Sequence, residues 1–175
     1  SDDEVPDILQ DRVPKPVWQV IYRRGPDGQK HVYCLPYDTV VVTLMYRKDL
    51  FRAVGLDPNT PPRTWDEFYD ACTKLFDPER GIYGVGLPMG TSASWGLMSF
   101  LWGAGGQSVV QDGEGNWHAV YDSDEAVLAY DFYRKLMQDP VEKYGKVYNG
   151  VAYRTADLSE AWRQGRIAMA LTYMN

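Results

Sequence analysis

The sequence predicts an α/β fold in which helices cover both faces of a largely parallel sheet, and three observations carry that expectation. Residues 40–45 (VVVTLM) and 167–171 (IAMAL) are continuous apolar runs, the pattern of strands buried on both faces. Between them, several segments repeat apolar residues at helical spacing behind Ser, Thr or Asp caps. Strand-like and helix-like segments are intermixed, with no internal repeat or low-complexity tract.

Taken in order, residues 18–22 and 31–35 are short Val/Ile/Tyr-rich runs around Pro26-Asp27-Gly28, which predicts a hairpin. The second arm leads through Leu35-Pro36-Tyr37-Asp38 into the run at 40–45. Pro36 cannot donate to a ladder, and a covered Asp38 needs a partner or water, so this stretch serves something other than a strand interior. Residues 47–54 predict a short helix closed by Gly55. Thr64 and Glu67 have the spacing of a capping box, opening a helix to about Phe76 whose stripe is Phe68, Ala71, Cys72 and Leu75.

Residues 81–88 predict a strand bounded by Gly and Pro. Thr91, Ser92 and Ser94 are possible caps of the next helix, with stripe Leu97, Met98, Leu101 and Trp102 and an end at Gly103. Residues 107–121 predict a hairpin around Gly113-Glu114-Gly115. Asp122 with Glu125 opens a helix of stripe Ala126, Tyr130, Tyr133 and Met137, stopped at Asp139-Pro140. Asp157 and Glu160 open a short helix through Trp162 to Gly165, which feeds the strand at 167–171.

The 175 residues are enough for a core and fit one domain or two small lobes. With 18 basic against 24 acidic residues the net charge is −6, which disfavours a nucleic-acid partner. Cys34 and Cys72 have neither metal-site nor redox-pair spacing and are expected as small core residues. No span has the apolar length of a membrane helix. The chain stops directly after an apolar strand, so a segment of a longer protein is expected.

Patterns for chemistry are absent for specific reasons. His31 and His118 are far apart in sequence, and neither supports a metal site or a triad. GTSAS at 90–94 has Ser94 where a nucleophile elbow needs glycine, and the third glycine of GVGLPMG comes one residue late for a dinucleotide fingerprint. Most acids fall at caps or on exposed helix faces. Asp38 stands alone and suits acceptance of hydrogen bonds from ligand hydroxyls better than acid–base work.

LPYDTVVVTLMYRKDLF, GLDPNTPPRTWDEF, GIYGVGLP, LWGAGG, YDFYRKL and AWRQGRIAMAL, in that order over residues 31–175, resemble the extracellular solute-binding proteins of sugar-type ABC importers, the class containing maltose-binding protein. The resemblance implies a type II-like periplasmic-binding-protein fold of two α/β lobes around a cleft. Residues 1–39 would close the first lobe and form the hinge strand, and residues 40–175 would form most of the second lobe.

It also implies capture of a carbohydrate or polyol in the periplasm or outside the cell, delivery to a membrane permease, a monomer, and no catalytic residue, metal or cofactor. Lipid anchoring of the complete protein is compatible with it. Candidate ligand contacts are Tyr37, Asp38 and Thr39 at the hinge, then Ser92, Ser94 and Trp95, and finally Tyr173 and Asn175 after the last strand. Asn175 stands where the family commonly has a cleft tryptophan, which removes that stacking surface. Each candidate has a structural alternative: Asp38 bracing the hinge, Tyr37 packing, Ser94 capping, Trp95 stapling its helix. Trp65 and Trp162 are expected to pack. Two other readings stay open, a carbohydrate-active hydrolase, which needs a second cleft carboxylate, and a glycan-sensing module unconnected to transport.

Overall fold

A computed structural model describes residues 12–37 and 41–173. The chain divides into two compact units, one up to Val41 and a larger one from Val42.

The smaller unit contains α1 (Lys15–Ile21), β1 (Tyr22–Arg24) and β2 (Lys30–Val32). The expected hairpin exists, but it is shifted: residues 15–21 are helical, and Tyr22 pairs with Val32. Pro14 at the N-cap and Pro16 in the first turn set the φ angles a helix start needs, which outweighs the β-branched content. The second arm ends at Val32, and Cys34 beyond it is exposed, against the core position expected for it.

The larger unit holds a four-stranded sheet of order β3-β10-β4-β9, formed by β3 (Val42–Tyr46), β4 (Tyr83–Pro88), β9 (Ala152–Thr155) and β10 (Ile167–Tyr173). β10 and β9 run parallel to β4, whereas β3 runs antiparallel to β10. β10 is central, with residues 167–170 all buried. β3 departs from expectation: it is an edge strand whose residues are half-buried or exposed. Its apolar run matches a doubly covered strand, but sheet order, a tertiary property, leaves it one neighbour. In β4 the amides of Gly84 and Val85 both donate to the Val151 carbonyl, at 3.0 and 3.5 Å, where the pairing with β9 begins.

Three helices cover one face, α3 (Trp65–Leu75), α4 (Ala93–Gly103) and α5 (Asp124–Gln138), with α2 (Lys48–Ala53) following β3. The six-residue α6 (Leu158–Arg163) packs on the other face through Ala161, Leu158 and Trp162. In α3 the expected stripe Phe68, Ala71, Cys72 and Leu75 is buried. Thr64 caps α3 by accepting the Glu67 amide at 3.2 Å, but the Glu67 carboxylate takes the Arg63 amide at 2.7 Å, one residue before the reciprocal position.

The stripes of α4 and α5 are rotated from those expected. α4 buries Gly96, Phe100 and Leu101 and leaves Trp102 59% exposed. It is apolar nearly all round, so periodicity alone selects no face. α5 is capped by Ser123, not Asp122, and buries Ala126, Ala129, Phe132 and Leu136, leaving Tyr130 exposed and Tyr133 and Met137 half-buried. Trp65, Phe100 and Phe132 join the three helices: Trp65 stacks on Phe132 at 4.8 Å between centroids and meets Phe100 edge-on at 5.8 Å.

The hairpin at 107–121 forms as β5 (Val109–Gln111) with β6 (Trp117–Ala119). His118 bonds Asp112 there at 2.7 Å, and that contact together with backbone amides lowers the Asp112 pKa to about 2. A second hairpin, β7 (Pro140–Lys143) with β8 (Lys146–Asn149), and the strand β9 were not expected from the sequence. Lys143 carries the β7–β8 hairpin back to α3, where its ammonium donates to the carbonyls of Thr73, Lys74 and Phe76. It occupies the position at which a cation complements the helix C-terminus. Lys143→Met should therefore cost about 1–2 kcal/mol in chemical denaturation. A cost below about 0.5 kcal/mol would show that water replaces the ammonium without loss.

Candidate functional site

Strand register lines up one edge of the sheet. Pro88 ends β4 opposite Thr155, which ends β9, and Met89 donates its amide to the Thr155 carbonyl at 2.9 Å. Gly86 pairs with Ala170, so Thr172 and Tyr173 at the end of β10 reach the same level, and Tyr173 pairs in turn with Val42, where the chain enters β3. The carboxyl ends of all three parallel strands therefore meet along one line, the end at which open α/β sheets hold ligands. A recess of ≈ 180 Å³ on the helical face, lined by Leu44, Trp65, Ser99 and Leu171, approaches this line, as does one of ≈ 220 Å³ on the α6 face, lined by Met45, Trp162, Ala170 and Thr172.

The segment after β4 crosses this edge. A 3₁₀ turn at Gly90–Ser92 delivers the chain into α4, with Ser92 in the N-cap position. The Ser92 hydroxyl makes no capping bond, and Ser94 is not the cap: its hydroxyl donates to the Thr91 carbonyl at 3.2 Å. Thr91, Ser92 and Ser94 are exposed. Trp95 is 53% exposed and makes no ring contact among the described residues. Behind it, Gly96 is buried against Pro88 and the hydroxyl of Tyr133. Burial raises the Tyr133 pKa, and the charge of Arg154 opposes that rise.

Trp65 packs as expected in the aromatic cluster, and Trp162 packs beside Leu158 and Ala161. Tyr37 is fully exposed in the smaller unit. Asp38, Thr39 and Asn175 lie outside the described residues, and Tyr173 is placed by its backbone as the last residue of β10. Among the candidates, the fold thus groups Ser92, Ser94 and Trp95 on one short segment and sets Tyr173 at the same edge. Sequence reading passed over Arg154 and Thr155, which complete the edge. Their strand is four residues long, and the only sign of it was the glycine punctuation at Gly145 and Gly150. No group of three or more His, Cys, Asp or Glu side chains among the described residues could hold a metal ion, and no described helix is long and apolar enough to cross a membrane.

Solved structures share this fold. An ABC transporter solute-binding protein from Thermotoga lettingae TMO, bound with α-D-tagatose, is 30% identical at a TM-score of 0.73, over 95% of this chain and 41% of that one. A solute-binding protein from Agrobacterium radiobacter K84, in complex with ribitol, is 25% identical at a TM-score of 0.68, over 94% of this chain and 38% of that one. Among curated proteins, the sn-glycerol-3-phosphate-binding periplasmic protein UgpB of Brucella abortus (strain 2308) is 41% identical over 56 residues, 32% of this chain and 12% of that one. The chain therefore spans well under half the length of these relatives. The fold is of the periplasmic-binding-protein type, as expected. Residues 2–175 match the model of the bacterial extracellular solute-binding proteins, and the chain belongs to that family.

Proposed function

We propose that this chain supplies one lobe and the hinge strand of the solute-binding component of an ABC importer, which captures a carbohydrate or polyol outside the cytoplasm and makes or breaks no bond. One observation carries the reading: the exposed hydroxyls of Thr91, Ser92 and Ser94 and the half-exposed indole of Trp95 lie together where the parallel strands end. Hydroxyls exchange hydrogen bonds with sugar oxygens, and an indole face covers the apolar C–H surface of a sugar ring. Residues 89–95 include no acid, histidine or cysteine, so this segment offers a binding surface without an acid–base pair. Tagatose and ribitol, bound by the solved relatives, and sn-glycerol 3-phosphate, named for the curated one, are all hydroxyl-rich.

The hinge reading places Tyr37, Asp38 and Thr39 in the connection ahead of the larger unit, with Tyr173 and Asn175 after the last strand. Closure of two lobes on the solute would bring these segments to it. Calorimetric titration of the full protein with a panel of sugars and polyols tests this. At least one member should bind with no release of reducing sugar, and Trp95→Ala should weaken it roughly 10- to 100-fold. Binding that survives Trp95→Ala within about twofold, or turnover of a bound sugar, would overturn the reading.

A further inference from the structure

We propose that Arg154 determines specificity at this edge by selecting solutes that carry an anionic substituent, a phosphate or a carboxylate, over their neutral parents. The inference rests on the solute-binding reading and adds the chemical class of the solute.

Register places Arg154 opposite Leu87, one rung from the Pro88–Thr155 pair that ends the sheet. Its neighbour Tyr153 packs into the small core under α6, so strand alternation turns Arg154 to the opposite face, the side of α4 and α5. The Tyr133 phenol on α5 feels its charge, and that hydroxyl lies 3.6 Å from where a Cβ on Gly96 would stand, in the residue after Trp95. Arg154 therefore stands on the helical face of the sheet, one rung from the end at which the hydroxyl–indole segment leaves β4.

Arg154 is exposed and makes no hydrogen bond or ion pair among the described residues. Arg47 holds Asp49, Arg80 faces Asp77, Arg134 reaches Asp131 and Asp139, Arg163 holds Glu160 and Arg166 donates to the Tyr153 hydroxyl, whereas Arg52 and Arg63, which share the lack of a side-chain partner among the described residues, stand on α2 and ahead of α3 and not on the strand that ends at this edge. The carboxylate nearest in sequence, Asp157, is engaged in capping α6 through the Glu160 amide. A planar fork of donors with no internal acceptor, beside uncharged hydroxyls, matches a phosphate or carboxylate bound through two oxygens. The chain carries −6 overall, so long-range attraction does not draw anions to it, and selection has to come from a local contact.

The test uses matched sets: ribitol with ribitol 5-phosphate and ribonate, and glucose with glucose 6-phosphate and glucuronate. Each is titrated against the full wild-type protein, Arg154→Gln, Arg154→Lys, and Arg52→Gln as a control on α2. In the wild type, at least one anionic member should bind roughly 10- to 100-fold more tightly than its neutral parent, the phosphate and carboxylate arms showing which anion is preferred. Arg154→Gln should bring that ratio to within about threefold of unity, Arg154→Lys should retain part of it, and Arg52→Gln should keep the wild-type ratio. A neutral parent that binds as well as its derivatives, or a preference that persists in Arg154→Gln, overturns this assignment and leaves solute binding standing. Failure of every neutral and anionic member to bind overturns both.

Discussion

Replacing Gly150 by alanine should destabilise the larger unit by about 3–4 kcal/mol, a fall of roughly 6–15 °C in Tm. Gly150 holds φ at +76°, and a Cβ built there would stand 2.2 Å from the Met137 carbonyl carbon and 2.3 Å from its oxygen. Those atoms are backbone in the last turn of α5, so no side chain can swing away to make room. The same turn is fastened to this point by the Gly150 amide on the Asp139 carbonyl at 2.8 Å and the Val151 amide on the Leu136 carbonyl at 2.9 Å. An added methyl must therefore push the β8–β9 junction off the end of α5. Gly145 separates the two causes: its φ of +71° is similar, but nothing lies within 4 Å of its Cβ position. Gly145→Ala should cost about 1 kcal/mol, the backbone part alone. Equal losses at both positions would refute the steric account, as would a Gly150→Ala protein that melts with the wild type.

Phe132→Ala should cost about 3–5 kcal/mol in chemical denaturation. Phe132 is 8% exposed and lies against Trp65 at 4.8 Å, Phe100 at 5.3 Å and Phe68 at 6.4 Å, so its removal opens a void where α3, α4 and α5 meet. Rings cannot collapse into that space without leaving their rotamers, and the cavity adds to the lost burial. Phe132→Leu, which keeps most of the volume, should cost about 1.5 kcal/mol or less. The emission of Trp65 should shift with the alanine change because its stacking partner is gone. A loss under about 1 kcal/mol would mean that the cluster relaxes freely and does not tie the helices together.

Much of the fold was legible because its signals are local. Thr64 and Asp157 cap helices where their spacing to Glu67 and Glu160 predicts, since the bond closes within four residues. The buried stripe of α3 follows from its period, its polar side being distinct. The faces of α4 and α5 were read only in part: Leu101 and Ala126 are buried and Met98, Tyr133 and Met137 pack against the core, but Trp102 and Tyr130 are exposed, because residues apolar or aromatic on several sides let the neighbouring helices choose which of them to bury. The hairpin β7–β8 and the strand β9 escaped notice because each strand is only four residues long, and β9 is in addition held by β4, distant in sequence. The candidate site divides in the same way. Ser92, Ser94 and Trp95 could be named from one short stretch, whereas the rung from Pro88 to Thr155 joins residues more than sixty positions apart.

From the sequence alone came the α/β class, the family resemblance, the apolar runs that become strands and the hydroxyl-rich segment after β4. Each of these is encoded by near neighbours or by residue type. Sheet order, the edge position of β3 and the placing of Arg154 opposite Leu87, one rung from the end of the sheet, were decided by tertiary structure alone. Pairing between distant strands depends on which register buries the most apolar surface over the whole chain, a comparison that no local window contains.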